Sequence, residues 1–495
     1  MATVLTRRQV LRRAALLSLS GATGSLLEAC DVASTRAPAR SPSPTRSSEP
    51  ALSVEARFPE DFAWGAATSA YQIEGAATEG GRGPSIWDTF ARTPGAIRDG
   101  STGDVAADHY HRYEEDLDLM SELGLRSYRF SISWPRIQPE GSGAPNQQGI
   151  DFYRRLVDGL NERAITPVAT LFHWDLPQAL QDAGGWESRD VALRFAEYAD
   201  VVFRALGDAV PTWLTLNEPK TVVEVGYIFG GHAPGKRDPA AAYVAAHHML
   251  LAHGLAVQAK RAAGGGRIGP ALNLAPVYPV DEARETRRAA TLRDGFENRL
   301  YLDPILLGSY PEDVLEEVDL VSPMPSRIQP GDLATISEPI DVLGVQYYTP
   351  ITVDRFGDRV FTLPTSQALW QEIHPEGLYD ILVRVREDYG DVPVVITENG
   401  IPVVAEPDEE DRIEDAARIA FLHDHLSAAH RAISEGVRLE GYHLWSLLDN
   451  FEWAEGYTQR WGIVHVDFET QRRTPKDSAH WYRDVVGAGG LIGTG

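Results

Sequence analysis

The chain has 495 residues and a formal net charge of −25, with 43% hydrophobic and 24% charged residues. This is the composition of a globular protein. Its acidic surface repels nucleic acid and anionic lipid, and no run of eighteen apolar residues offers a membrane span. A single cysteine excludes an intrachain disulfide and a cysteine-rich zinc site. The 11 tryptophans suit a core, and they also suit a site that stacks on flat, weakly polar ligands.

Residues 1–30 read as an export signal, with a basic start, a modestly apolar stretch and small residues before Cys30. Thr6-Arg7-Arg8-Gln9-Val10-Leu11-Arg12 resembles the twin-arginine motif of bacterial export. Leu27-Glu28-Ala29-Cys30 resembles a lipobox, whose cysteine receives a lipid, although Glu28 stands where a small or apolar residue is usual. Residues 31–56, rich in Ser, Pro, Arg and Thr, are predicted to be a disordered tether. The expectation is an exported protein, extracellular or periplasmic, with Cys30 as the candidate membrane anchor.

Residues 57–495 are predicted to form one catalytic domain. Strands are expected at 62–70, 127–133, 166–173, 212–218, 267–274, 341–349, 393–398 and 439–448. Helical spacing separates them, as at 149–163 and at 190–206, where Phe195, Tyr198, Ala199, Val202 and Leu206 share one face. Eight strands alternating with helices predict an α/β fold, a (β/α)₈ TIM barrel with its active site at the C-terminal strand ends. The inserts at 71–108 and 301–340 are expected to be loops around that face or the barrel's side. His109 and His111 form an H-x-H pair in a helical stretch and read as packing or surface residues, so no metal site and no cofactor are predicted.

All strands but the fifth end on residues that are costly in a mere core. Gln72 follows the first, Arg129 lies within the second, and His173 and Trp174 close the third. Asn217 and Glu218 close the fourth, Tyr347 and Tyr348 the sixth, Glu398 and Asn399 the seventh, and Trp445 falls in the eighth. Glu218 and Glu398 dominate this ring. Breaking a glycosidic bond needs one carboxyl to protonate the leaving group and another to stabilise the oxocarbenium-like centre. At about 5–5.5 Å apart the two would follow the retaining route through a covalent glycosyl-enzyme. Two like charges that close raise one pKa, so one carboxyl stays an acid near neutral pH. Arg129 within reach of Glu398 would keep that second carboxyl ionised.

The segments "FAWGAATSAYQIEGA", "YRFSISWPRI", "LFHWDLPQAL", "LTLNEP", "VVITENG" and "HLWSLLDNFEWAEGY" occur in this order. Over residues 57–485 the sequence resembles glycoside hydrolase family 1, the β-glucosidase family. The resemblance implies Glu218 as acid/base and Glu398 as nucleophile, with Tyr348 holding the nucleophile. It implies Gln72, His173, Asn217, Glu452 and Trp453 as hydrogen-bonding partners of the terminal sugar, Trp445 as its stacking floor and Trp461 near its 6-position. Trp174, beside His173, and Gln346 join the substrate-binding set. Gln346 departs from the family, which usually has Asn in "GVNYYT", so altered efficiency or leaving-group preference is expected. The implied activity is hydrolysis of terminal β-D-glucosyl residues of aryl and alkyl β-glucosides and cello-oligosaccharides. A broader galactosidase or fucosidase and a transglycosylase use the same residues. A phosphorylated sugar would meet the Glu452 carboxylate, and an inactive sugar-binding lipoprotein would have lost one of the two glutamates. Oligomeric state is not readable from the sequence.

Overall fold

Val394, Val395, Ile396 and Thr397 bury side chains on both faces of one strand, which requires cover on both sides. The computed structural model describes residues 53–494, and in it this cover is a closed parallel barrel. Its strands are β1 (Ala63–Ala67), β2 (Ser127–Ser131), β3 (Thr166–Phe172), β4 (Thr212–Asn217), β5 (Arg267–Asn273), β6 (Leu343–Gln346), β7 (Val394–Glu398) and β8 (Leu439–Trp445). They pair in chain order, and β8 closes on β1 from Gly441 opposite Ala63 to Trp445 opposite Ala67. Helices including Gln147–Glu162, Arg189–Leu206, Pro375–Tyr389, Ala416–Ser434 and Asp477–Ala488 alternate with the strands.

The helical spacing in the sequence translates directly into packing. Helix Arg189–Leu206 buries Phe195, Tyr198, Ala199, Val202 and Leu206, the face read from the sequence. Helix Pro239–Ala263 is long and apolar enough to cross a membrane, but its most apolar window is 89% buried, so it is a core helix. Asp238 caps it, accepting from the backbone N–H groups of Ala240 and Ala241 at 3.0 and 3.2 Å.

Five expectations need correction. The first strand stops at Ala67, and Gln72 sits on a one-turn helix, Ala70–Ile73. The sixth ends at Gln346 and the eighth at Trp445, because the following residues leave the ladder and enter the mouth of the barrel. The insert at 301–340 is helical, with segments Leu300–Leu306, Glu312–Asp319, Met324–Arg327 and Asp332–Ile336. Val54, Glu55 and Ala56 are not tether: with Arg57 they form a strand that pairs antiparallel with Gly490–Ile492, so the two ends of the domain meet. The export signal, Cys30 and residues 31–52 lie outside the described residues.

The segment after β1 is held to the elements after β2 by a buried charge. Arg136 Nε donates to Glu74 Oε2 at 2.9 Å and Nη2 to the Gly75 carbonyl at 3.2 Å, while Tyr153 Oη donates to Glu74 Oε1 at 2.6 Å. His109, the first of the H-x-H pair, belongs to a second such cluster: its Nδ1 is 2.7 Å from Asp116, which also pairs with Arg473. His111 is half-exposed beside Asp108 and Glu79.

Removing one partner of a buried pair leaves the other charge uncompensated, at a cost of about 3–5 kcal/mol. Arg136→Met is therefore expected to lower the unfolding free energy, measured by chemical denaturation, by an amount in that range. Arg287→Met, which breaks an exposed pair with Glu282, should change stability by less than about 1 kcal/mol.

Candidate active site

The charged ring at the C-terminal strand ends is organised by Arg129 of β2, whose guanidinium is fully buried. An arginine has only donors, so every partner must accept. Nη1 donates to Glu398 Oε1 at 2.5 Å and to the Thr397 carbonyl at 3.1 Å; Nε donates to Thr170 Oγ1 at 3.2 Å. Nη2 lies 2.5 Å from Asn217, so the atom there is the amide oxygen. The Asn217 nitrogen then faces His173 Nε2 at 3.0 Å, which must accept, placing the imidazole proton on Nδ1. Burial together with Arg129 holds the His173 pKa well below its usual value, so the ring is neutral.

Glu398 ends β7 because its carboxylate is the anion that this cation requires. It also accepts from Tyr348 Oη at 2.8 Å on Oε2 and from Gln346 Nε2 at 2.8 Å on Oε1. Burial pushes its pKa up, and Arg129 and Tyr348 oppose that push. The Gly after "TEN" has a packing reason: a Cβ on Gly400 would lie 1.9 Å from the Trp445 carbonyl oxygen. Asn399 donates to the Tyr347 carbonyl at 2.6 Å and fastens the β7 end to the β6 end.

Glu218 has a different environment. It follows β4 in the left-handed region, φ +42°, a conformation that L-residues rarely hold without a surrounding constraint. Trp174, at φ +77°, and Trp453, at φ +49°, share that property in the same site. Thr221 Oγ1 donates to Glu218 Oε2 at 2.7 Å. Burial, and then the charge on Glu398, push the Glu218 pKa up to about 8. Two buried glutamates thus differ in what faces them: Glu398 has a guanidinium, and Glu218 has only a hydroxyl in hydrogen-bonding contact.

Around the pair stand the remaining sequence-predicted residues. Gln72 Nε2 donates to Asn450 Oδ1 at 3.0 Å and Glu452 Oε2 at 3.3 Å. Burial, then the charge on Glu398, push the Glu452 carboxyl up to about 8. His173 lies over Trp445 and Trp453, with ring centroids 5.9 and 5.8 Å away, and Trp174 packs on Trp453 at 4.5 Å. Trp174 Nε1 donates to the Asn217 carbonyl at 2.9 Å. Tyr348, Trp445 and Trp461 form one buried cluster, with the Tyr348 ring edge-on to Trp461. Gln72, Arg129, His173, Trp174, Asn217, Glu218, Gln346, Tyr348, Glu398, Trp445, Trp453 and Trp461 are all buried in this one assembly, and Glu452 is partly exposed at its edge.

Gln346, read as part of the substrate-binding set, directs its amide nitrogen to Asn217 Oδ1 at 2.6 Å and to Glu398 Oε1 at 2.8 Å. Three residues were not read from the sequence. Thr221 stands three positions after Glu218, the separation at which residues of one helical turn meet, which was the available signal. Asn450 lies inside the quoted "LLDNFEW". Trp370 is 44% exposed and stacks on Trp461 at 6.3 Å from a segment with no pattern of its own.

An acid and an ionised carboxylate, set among aromatic rings and amides, can cleave a glycoside by acid and nucleophilic action. Comparison with known proteins agrees with this chemistry. The family described as Glycosyl hydrolase family 1 matches residues 54–491. Beta-glucosidase A of Acetivibrio thermocellus is 50% identical over 446 residues, which cover 87% of this chain and 98% of that protein. A bifunctional beta-D-glucosidase/beta-D-fucosidase of Bifidobacterium breve is 44% identical, covering 87% of this chain and 98% of its own length. Among solved structures, the beta-glucosidase of Thermotoga maritima in complex with glucoimidazole superposes with a TM-score of 0.85 at 48% identity, covering 88% of this chain and all of that one. With its barrel, its carboxyl pair and these relatives in agreement, the chain belongs to glycosyl hydrolase family 1.

Proposed function

We propose that the chain is a retaining β-glucosidase that removes terminal β-D-glucosyl residues from aryl and alkyl β-glucosides and cello-oligosaccharides. The observation that carries the assignment of roles is the unequal setting of the two glutamates. Glu398, faced by Arg129, Tyr348 and Gln346, is the nucleophile. Glu218, with its pKa pushed up to about 8, keeps the proton that the leaving group needs.

The reaction then follows in two displacements. Glu398 attacks C1 while Glu218 transfers its proton to the glycosidic oxygen, releasing the aglycone and leaving a glycosyl ester on Glu398. Esterification removes the negative charge that, after burial, had raised the Glu218 pKa. The Glu218 carboxylate then takes a proton from water as the water attacks C1, which frees glucose and restores Glu398. Asn217, His173, Gln72 and Glu452 hold the sugar hydroxyls, and Trp445 supports the ring. Broader β-glycosidase activity on fucosides is the second reading, favoured by the name of the Bifidobacterium breve relative. We also infer export through the twin-arginine-like segment, with Cys30 as the lipid anchor; the arrangement of Arg7, Arg8 and Cys30 supports it.

The roles separate in two variants. Glu398→Ala should nearly abolish hydrolysis of every β-glucoside, with azide restoring turnover to an α-glycosyl azide. Glu218→Ala should slow substrates with poor leaving groups by about 10²–10⁴-fold, spare the glycosylation step of a dinitrophenyl glucoside, and give a β-glycosyl azide. Products of the opposite anomeric form would reverse the assignment.

The pH profile follows from the same pair. For ordinary glucosides, kcat/KM should fall as pH rises through about 8, where Glu218 loses its proton. It should also fall on the acid side as Glu398 takes one up. In Glu218→Ala the alkaline limb should vanish from the glycosylation of a dinitrophenyl glucoside; its persistence would assign that titration to Glu452, also near 8.

For location, activity in the wild type should fractionate with the envelope and be released by detergent. Cys30→Ala should move it to the soluble exported fraction. Wild-type activity already soluble outside the cell would dismiss the anchor.

A further inference from the structure

We propose that Gln346 is a positioning residue for the glycosidic reaction, one amide nitrogen that holds Asn217 and Glu398 in fixed relation. The inference rests on the roles proposed above for these two residues. Gln346 closes β6 and is fully buried. Its amide group lies 2.6 Å from Asn217 Oδ1 and 2.8 Å from Glu398 Oε1. Both of those atoms accept from Arg129 as well, so the Gln346 atom between them must be the nitrogen. An amide oxygen there would face two acceptors. The two hydrogens of one NH₂ are therefore both committed, one to each partner. The Oε1 atom of Gln346 is buried and has no partner among the described residues.

The contact crosses strands. Asn217 is on β4, Gln346 on β6 and Glu398 on β7, so the glutamine reaches across β5, which lies between β4 and β6. An asparagine at 346 is shorter by one bond, about 1.5 Å, and cannot keep both contacts without a shift of the backbone. The glutamine adds a donor to the ionised form of Glu398, beside Arg129 and Tyr348. The other groups that act on Glu398 are the carboxyls of Glu218 after β4 and Glu452 after β8. A donor lost from the carboxylate raises its pKa, because the charged form alone is being held. The same donor fixes the Asn217 oxygen, and through it leaves the Asn217 nitrogen facing His173 and the sugar side.

The test uses the full chain with aryl β-glucosides and two variants. Gln346→Met keeps the length and removes the donor; Gln346→Asn keeps the donor and shortens the reach. Gln346→Met should lower kcat/KM by about tenfold to a hundredfold, mostly in kcat, with KM changed less than about threefold. Its acid limb should move to higher pH by up to about one unit. Gln346→Asn should fall between it and the wild type in both readouts, a graded rescue that a merely structural residue would not give. Should Gln346→Met fail to fold, judged by circular dichroism and melting, the acid limb of Gln346→Asn decides: a shift upward supports the role and no shift overturns it. Loss confined to KM, with the acid limb unmoved, would return Gln346 to the substrate-binding set and overturn the proposal. A mechanism-based fluorosugar separates the two levels of inference. Label on a residue other than Glu398 in the wild type removes the roles beneath the proposal; label on Glu398 with an unmoved acid limb removes the proposal alone.

Discussion

A guanidinium sealed inside a barrel is the constraint from which the site's arrangement follows. Arg129 cannot be deprotonated and cannot accept a hydrogen bond. Burying it without an anion would cost far more than the fold could supply. Glu398 at the neighbouring rim is that anion, and the pairing explains why an apolar strand ends on a carboxylate. The orientation of Asn217 follows from the same cation, the orientation of Gln346 follows from Asn217, and the tautomer of His173 follows last. Each link is a question of donors and acceptors, and each leaves one answer.

The consequence for chemistry is asymmetry without a difference in residue type. Glu218 and Glu398 are both glutamates, both buried, both at strand ends. Burial raises both. What separates them is the company: a cation, a phenol and an amide for one, a threonine hydroxyl for the other. The pair titrates as a unit, and within it the first proton leaves the carboxyl that the guanidinium holds. Glu452 adds a third, partly buried carboxyl, with the Gln72 amide donating to it in place of a cation.

Strand identity was legible because strands covered on both faces read as short unbroken apolar runs, and 393–398 is one of them. The ring of polar ends was legible for the same reason: Arg129, Asn217 and Glu398 interrupt those runs where a core would not. Boundaries were less so. Gln72 was read as following a strand and sits on a helical turn, because nothing in "ATSAYQIEG" marks where the ladder stops and the turn begins. The 301–340 insert was read as loops, yet Pro311, Pro323 and Pro325 stand at or before the starts of short helices, where proline is compatible, and Pro304 lies within the short helix Leu300–Leu306. The partners of Gln346 could not be read at all, since they depend on which way two amides are turned. Trp370 escaped because an exposed tryptophan in an irregular segment has no periodicity to betray it. The family was legible in six motifs, and those motifs are the pieces of chain that meet at the barrel mouth.

The bond from Arg129 to Glu398 joins residues 269 positions apart, and it has a temporal side. A ribosome delivers β2 long before β7, and the barrel gains its final seam only when β8 reaches β1. Val54–Arg57 then waits for Gly490–Ile492, at the far end of the domain. Until then the arginine has no Glu398 carboxylate to hold, and Glu218 has no second carboxylate beside it. The ring that brings the two carboxyls together is therefore complete only when the barrel closes.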